Sequence, residues 1–294
     1  MNRRAIGFVG FVSLGLIGCS SDPEAAPETA AHDLVTFEST DIELAPGDEK
    51  YLCWARNLPE DKQVVVSEIS GEYGPGTHHV FFAWTLAPET EETFECPVLF
   101  KTTWIPIYLG GVDTSPLALP DGAGIDLGTG KQLLLQLHLQ NPTAKPIVNR
   151  VKMKMKLRDP ELPFDAAGVF GLDNRVIALP PNSTDVRTSM SCKPGRTMNV
   201  FSVLGHMHKL GRQLQVSHNG NVVFTQPWNF DEQPITPFTL QVAPDDDLGI
   251  SCLHSNPGSS MVTYGESSDT EMCATIFYHT PYEGLSGCVN TAPP

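Results

Sequence analysis

Two histidines separated by a single residue lie in the segment VFSVLGHMHKLGRQLQV, residues 200–216. The segment has the apolar character of a β-strand, and side chains at positions i and i+2 of a strand point to the same face. His206 and His208 can therefore present two imidazoles to one metal ion, and imidazole binds copper, zinc, iron and nickel. Met207, between them, should point to the opposite face and into the core.

Three further histidines come in two short motifs, with His78 and His79 adjacent in YGPGTHH and His138 near the end of LLLQLHLQNP. Neighbouring side chains of a regular strand point to opposite faces. His78 and His79 can reach one ion only if the strand bends there, or if one ring binds through Nδ1. The preceding Gly and Pro residues are suited to such a bend. His138 taken alone is more often a core or edge histidine than a ligand.

A methionine near the C-terminus adds a soft candidate ligand. In the segment GESSDTEMCATIFYH, Met272 and Cys273 should face opposite ways in a strand, so a disulfide at Cys273 would leave the Met272 thioether facing a cavity. Thioether sulfur favours copper over zinc, which makes a zinc protein a weaker alternative for a His-His-Met set. Taken alone, Met272 is more simply a core residue.

The remaining four histidines have ordinary structural interpretations. His32 lies in a polar N-terminal stretch, His218 flanks a turn, and His254 and His279 stand apart from other candidate ligands. For each we expect a surface position or a satisfied structural role.

The elements that must position these side chains are short strands. Apolar or alternating runs bounded by Pro, Gly, Asn and Asp recur along the chain, which contains 25 Gly and 25 Pro, and no segment has the pattern of a helix of three turns. VKMKMKL alternates cleanly, so Met153 and Met155 should lie in the core, and Asn219-Gly220 indicates a hairpin. We predict an all-β protein of two antiparallel β-sandwich domains, residues 34–160 and 161–294, with the boundary in the Pro- and Asp-rich segment 158–168.

The N-terminus has the features of a bacterial lipoprotein signal. Arg3 and Arg4 precede an apolar run that is short for a membrane-spanning helix and ends in Leu-Ile-Gly-Cys. We predict a signal peptide at residues 1–18, lipidation of Cys19 and a flexible tether at residues 19–33; the alternative is an ordinary secretory signal with a chance cysteine. Ser20 after the cysteine favours the outer membrane as the site of an exported, lipid-anchored protein.

Charge and cysteine content narrow the class of protein further. The formal net charge is −15, which makes nucleic acid an unsuitable partner. Apart from Cys19 there are six cysteines, and an even number in an exported chain indicates disulfides. Six cysteines allow 15 pairings, among which spacing does not choose.

Four of these motifs, GTHHVFF, LLLQLHLQNP, LGHMHKLGR and TEMC, occur in this order over residues 35–290, and together they resemble the copper type II, ascorbate-dependent monooxygenases. Known members include peptidylglycine α-hydroxylating monooxygenase and dopamine β-monooxygenase. The resemblance implies two jelly-roll-like β-sandwich domains that face each other across a cleft, with one copper ion in each domain.

Residue roles follow from the resemblance. His78, His79 and His138 would bind an electron-transfer copper, and His206, His208 and Met272 would bind the catalytic copper. The implied disulfides are Cys53–Cys96, Cys192–Cys288 and Cys252–Cys273. The implied reaction is hydroxylation of an aliphatic C–H bond of a small substrate, with O2 and a reductant such as ascorbate.

Several positions depart from the peptide-amidating members, which hold a substrate carboxylate with an Arg, an Asn and a Tyr. The corresponding positions here are Leu204, Ala274 and Ile276, so peptide amidation is not expected and the substrate should be less charged. Thr270-Glu271 stands where the family usually has Asp-Glu. The alternative to an enzyme is a copper-binding lipoprotein that handles the metal without turnover; retention of all six ligands favours the enzyme.

Overall fold

The fold is all-β. The computed structural model of the protein describes residues 34–96, 101–111 and 114–291, and within these ranges the regular elements are strands, with no helix. The predicted signal peptide, Cys19 and the tether lie outside the described residues. No helix in the described ranges is long and apolar enough to cross a membrane.

The strands are numbered in chain order. The first thirteen are β1 (Leu34–Glu38), β2 (Ile42–Leu44), β3 (Glu49–Asn57), β4 (Val64–Tyr73), β5 (Thr77–Thr85), β6 (Phe94–Glu95), β7 (Trp104–Gly111), β8 (Leu117–Ala118), β9 (Ala123–Gly128), β10 (Gln132–Gln140), β11 (Ile147–Asn149), β12 (Val151–Arg158) and β13 (Asp165–Ala166). The others are β14 (Gly168–Asn174), β15 (Ala178–Leu179), β16 (Ser183–Cys192), β17 (Met198–Met207), β18 (Gly211–His218), β19 (Asn221–Pro227), β20 (Thr236–Val242), β21 (Leu248–Asn256), β22 (Val262–Thr263), β23 (Cys273–Thr280) and β24 (Ser286–Asn290).

Strands β1–β13 form the first group of sheets. One sheet has the order β1-β12-β4-β9-β13, with β8 paired to β4, and the other has the order β6-β3-β10-β5-β7. A small β11-β2 ribbon completes the group. Phe37, Val66, Phe82 and Leu135 are among the buried residues of the core shared by the two large sheets.

Strands β14–β24 form the second group. Its large sheets have the orders β20-β17-β23-β14-β24 and β16-β21-β18-β19, and β15 pairs with β22. Phe170, Val203, Val216 and Phe277 belong to its core. Strand pairing changes from the first group to the second between Ala166 and Gly168, within the predicted boundary segment. The precise division into domains at residues 160 and 161 stays a prediction.

Local sequence patterns account for several elements. Alternate residues of β12 are buried, and Met153 and Met155 are fully buried core residues, as the alternation predicts. Asn219 and Gly220 both have positive φ, 49° and 79°, and join β18 to β19. This conformation is the one that an Asn-Gly hairpin turn requires. Met207 is also fully buried in the second core, as predicted.

Three disulfides are present, Cys53–Cys96, Cys192–Cys288 and Cys252–Cys273, and they confirm the implied pairing. Cys252 in β21 and Cys273 in β23 are both fully buried and connect the two large sheets of the second group. Because Cys273 directly follows Met272, this bridge holds the segment that carries the candidate sulfur ligand.

We expect the double substitution Cys252→Ala with Cys273→Ala to lower the free energy of unfolding by about 3 kcal/mol, the value for a closed loop of this size. Denaturant unfolding of the metal-free protein measures the loss. Reduction of the wild-type protein should give a larger loss, because it breaks all three disulfides. Unchanged unfolding of the double variant would show that the sheets hold this segment without the bridge.

Candidate metal centres

The first candidate centre lies where β5 and β10 pair. His138 on β10 lies opposite His79 on β5, but the next residue, Leu139, lies opposite Thr77. His78 is therefore the extra residue of a β-bulge, which bends the strand and re-aims its side chain. The bulge is the bend that the adjacent histidines require, and it brings both rings to His138.

The three rings converge through Nδ1. His78 Nδ1 lies 3.1 Å from His79 Nδ1 and 3.0 Å from His138 Nδ1, and the potential ligand atoms of the three residues all lie within 4.8 Å of one another. On its other side, His138 Nε2 lies 2.7 Å from Glu49 Oε1. A carboxylate in this position accepts the Nε2 proton and leaves Nδ1 of His138 as a lone pair, the arrangement common behind metal-binding histidines.

Burial keeps these imidazoles neutral. His79 and His138 are almost inaccessible to solvent, and burial is the main cause that lowers the pKa of His78 to about 2 and that of His138 to about 4. Burial and the neighbouring rings also lower the pKa of His79. Neutral imidazole is the form that binds metal, so all three rings are ready ligands at neutral pH.

The donor set fits a metal ion. Nitrogen ligands about 2.0 Å from one ion lie about 3.3 Å apart in tetrahedral geometry, close to the two short distances here. His138 Nδ1 carries no proton, and a proton on His78 Nδ1 can only be shared between its two neighbours. His79 Nε2 is buried without a hydrogen-bond partner among the described residues. A cation would satisfy all three converging lone pairs together.

The second candidate centre is at the end of β17, where His206 and His208 lie with ring centroids 5.4 Å apart. His206 Nδ1 lies 2.8 Å from Gln233 Oε1, and His208 Nδ1 lies 3.0 Å from the carbonyl oxygen of Thr270. Both acceptors hold the proton on Nδ1 and leave Nε2 as a lone pair. In the described part of the chain His206 Nε2 is buried without a partner, as a metal-binding atom would be before loading.

Burial acts on these two rings as it does on the first three. It is the largest cause that lowers the pKa of His206 below its ordinary value and that of His208 to about 4. Both rings are therefore neutral at pH 7, and their Nε2 lone pairs are available.

Glu271 places Met272 beside His208. Its fully buried carboxylate accepts hydrogen bonds from the backbone N–H of His208 at 3.0 Å, Leu210 at 2.6 Å and Met272 at 3.1 Å. One oxygen, Oε2, serves both His208 and Met272, so the two backbones lie side by side. Met272 is buried, yet among the described residues it belongs to neither hydrophobic cluster. The clamp thus fixes the backbone of Met272 beside that of His208, and the role of its thioether as a copper ligand stays a prediction of the resemblance.

The Glu271 carboxylate remains charged despite its burial. Burial alone would raise its pKa. The His254 ring, with Nδ1 3.6 Å from Glu271 Oε2, and the backbone N–H of His208 hold the pKa below its usual value. At 3.6 Å the His254 contribution is electrostatic rather than a hydrogen bond.

We expect Glu271→Gln to destabilise the metal-free protein by about 2–3 kcal/mol, because the amide NH2 would face a backbone N–H that loses its acceptor. Thermal or denaturant unfolding measures the loss, with the exposed Glu161→Gln as a matched control. Copper at the second centre should also bind more weakly. A variant as stable as the control would show that Glu271 is not the clamp described.

The two centres are in direct contact. The rings of His79 and His206 lie with centroids 5.5 Å apart at 87°, and Phe230 stacks on His78 at 4.1 Å. Gln233 reaches both centres, with Nε2 3.3 Å from His78 Nε2. Where the resemblance implies a cleft, this structure is closed, and all six candidate ligands are buried.

A loop that sequence analysis missed lies between the centres. Residues 228–235 join β19 to β20, and they place three side chains against candidate ligands. Trp228 Nε1 donates to the backbone oxygen of His208 at 2.9 Å, while Phe230 and Gln233 make the contacts above. No spacing or motif marks this loop. Glu49 was missed as well, and a carboxylate at the start of a strand gives no signal of its own.

The other histidines take structural positions. His218 Nε2 lies 2.8 Å from Asp246 Oδ2, and His254 Nε2 lies 3.2 Å from Thr188 Oγ1. His279, on β23, is fully buried with neither ring nitrogen hydrogen-bonded in the described ranges, so the expected surface or satisfied position is wrong for this residue. His32 lies outside the described residues. No candidate metal centre forms around His218, His254 or His279 within the described chain.

Comparison with known proteins bears on the family resemblance. Residues 165–294 match the model of the copper type II ascorbate-dependent monooxygenase, C-terminal domain. The chain is 23% identical over 316 residues to DBH-like monooxygenase protein 2 of Mus musculus, a match covering 91% of this chain and 48% of that protein. It is 22% identical over 312 residues to DBH-like monooxygenase protein 1 of Gallus gallus, covering 92% of this chain and 50% of that protein. The chain thus spans about half the length of these curated relatives.

Among solved structures, the major capsid protein P2 of bacteriophage PM2 aligns over 85% of this chain and 98% of that chain, with 8% identity and a TM-score of 0.33. That similarity is too low to bear on fold or function. The C-terminal domain match and the curated relatives instead support the resemblance, seen in the motifs, to the copper type II, ascorbate-dependent monooxygenase family, and residues 165–294 match the C-terminal domain of that family.

Proposed function

We propose that the protein is a copper-dependent monooxygenase that hydroxylates an aliphatic C–H bond of a small molecule with O2. It holds two copper ions, one at His78, His79 and His138 and one at His206, His208 and Met272. Ascorbate or another one-electron reductant supplies the electrons. The observation that carries the proposal is the contact between two buried groups of histidines, with the backbone of buried Met272 held beside His208 by Glu271.

Bound copper would supply the redox chemistry: one oxygen atom of O2 goes to the substrate carbon, and the other leaves as water with two electrons and two protons from the reductant. The chain itself orients the ligands. Glu49 orients His138 in the first centre. In the second centre, Gln233 and Thr270 orient the two histidine rings, and Glu271 ties the backbone of Met272 to that of His208. Burial of all six ligands excludes water from the reaction. Substrate entry therefore requires the contact between the centres to open.

The proposed location is the cell envelope, with the protein exported and anchored through lipidated Cys19. Support comes from the signal-like N-terminus and from the three disulfides, which are typical of proteins in an oxidising compartment. O2 and the small-molecule substrate are its proposed partners, and nucleic acid is not one.

The sheet face beside the second centre supports a substrate without a carboxylate. Leu204 is fully buried and lies opposite Ile276, while Ala274 lies opposite His206 in the pairing of β17 with β23. None of these side chains can form an ion pair or hydrogen bond with a carboxylate.

We expect no measurable conversion of a glycine-extended peptide by the copper-loaded protein, since a bound carboxylate would be left without a partner. Mass spectrometry of the peptide after incubation with copper, ascorbate and O2 measures the product. Turnover at a rate typical of the amidating members would contradict the predicted pocket.

The function is tested by metal analysis and a substrate screen. The purified protein should bind two copper ions per chain, and O2 uptake with ascorbate should depend on a substrate whose product is heavier by one oxygen atom. A library of uncharged small molecules is screened by mass spectrometry. One copper ion per chain, or uptake that no substrate changes, would contradict the proposal.

A further inference from the structure

A single side-chain amide connects the two centres. Gln233 is buried in the 228–235 loop, and its Oε1 lies 2.8 Å from His206 Nδ1 while its Nε2 lies 3.3 Å from His78 Nε2. The loop is held in place because Thr114 Oγ1 donates to the backbone oxygen of Gln233 at 2.9 Å. Gln233 therefore touches one candidate ligand of each centre.

These contacts form one directional chain of hydrogen bonds. His206 Nδ1–H donates to Gln233 Oε1, and the Gln233 NH2 donates to His78 Nε2. His78 Nδ1–H then faces His138 Nδ1, and His138 Nε2–H donates to Glu49. A neutral imidazole carries one proton, so His78 and His138 each donate on one side and accept on the other, while His206 donates through Nδ1 and its Nε2 has no partner among the described residues.

Metal loading of both centres would require the amide to accept a hydrogen bond at each of its two ends. A ring that binds metal through one nitrogen carries its proton on the other nitrogen. His206 loaded through Nε2 keeps Nδ1–H and still needs an acceptor. His78 loaded through Nδ1 must move its proton to Nε2, where it also needs an acceptor. An amide has one acceptor end and one donor end, so it can serve only one of the two loaded rings. Exchanging the amide oxygen and nitrogen only changes which ring is served.

We propose that Gln233 is a positioning residue that couples the two centres, so that loading one with metal weakens loading of the other. This inference rests on the proposed two-copper function. With both centres loaded, the amide N–H meets the N–H of His78 or His206, and one hydrogen bond between the centres is lost. One such bond corresponds to about a 2- to 10-fold change in affinity. The same loss loosens the closed contact through which substrate must enter.

Two variants separate this role from simple packing. Gln233→Glu keeps the shape and offers an acceptor at both ends, so it should satisfy both loaded rings and remove or reverse the coupling. Gln233→Leu keeps the bulk with no polar atom, so it should also remove the coupling, and it should weaken copper binding by His206 because the ring is no longer oriented.

The experiment is an anaerobic Cu(I) titration against a chromophoric chelator. Single-centre constants come from His138→Ala, which leaves the second centre, and from His208→Ala, which leaves the first, each combined with Gln, Glu or Leu at position 233. The coupling factor is the constant for loading both centres divided by the product of the two single-centre constants. We expect a factor 2- to 10-fold below one for wild type, and a factor of one or above for Gln233→Glu. Hydrogen exchange of the 228–235 loop should rise on double loading of wild type and not of Gln233→Glu.

The outcomes distinguish the two proposals. Two bound ions with a coupling factor of one in wild type, or with equal factors in wild type and Gln233→Glu, would overturn the role of Gln233 and leave the two-copper function standing. A wild-type chain that binds a single ion would overturn the two-copper function itself, and the coupling with it.

Discussion

Replacement of Met272 by Ile is expected to abolish hydroxylation while the protein still binds copper at His78, His79 and His138. Isoleucine fills a similar volume, so the buried position should stay packed. It has no sulfur, and the second centre is left with His206 and His208. We expect turnover to fall by about 100-fold or more, since loss of an outer-shell partner alone commonly costs 10- to 100-fold.

The measurement pairs copper analysis with substrate-dependent O2 uptake. Met261→Ile is the matched control, because Met261 is 53% exposed and touches neither centre. Retained unfolding stability in both variants shows that the fold is intact. The result also separates the enzyme from a copper carrier: a carrier would lose only affinity at one centre, with no turnover to lose. Turnover of the Met272→Ile variant at the wild-type rate would show that the thioether is not needed for hydroxylation.

Replacement of His138 by Ala is expected to remove copper from the first centre and to stop multiple turnover. The substitution takes away one converging Nδ1 and leaves the Glu49 carboxylate without its imidazole partner. Each hydroxylation consumes two electrons, and a chain with only the second centre loaded holds one metal-derived electron at a time. We therefore expect a loss of about 100-fold or more in steady-state rate, with the second centre still loaded.

His218→Ala is the control for this variant, because His218 lies on the β18–β19 hairpin and contacts Asp246 rather than either centre. Copper per chain should fall from two to one in His138→Ala and stay at two in His218→Ala. Extended X-ray absorption fine structure of the remaining copper should show one sulfur ligand, from Met272. A normal steady-state rate with one copper would contradict the division of roles between the centres.

Much of the architecture could be predicted from local patterns. Alternation in β12 placed Met153 and Met155 in the core, and Asn219-Gly220 marked a hairpin, because each signal depends on residues adjacent in the chain. The ligand motifs were equally visible, since His206 and His208 share a face by the period of a strand. The disulfide pairing needed the family resemblance, because spacing cannot choose among 15 pairings.

The sequence by itself thus determined the all-β class, the candidate ligands and the family resemblance, because these depend on residue type and short spacing. Only the tertiary structure decided that His78 occupies a bulge, that Glu49 stands behind His138, and that the two centres touch. The Gln233–His78 contact joins residues 155 positions apart. Such contacts are set by the packing of one sheet group against the other, and no local periodicity encodes where a loop will lie once that packing has formed.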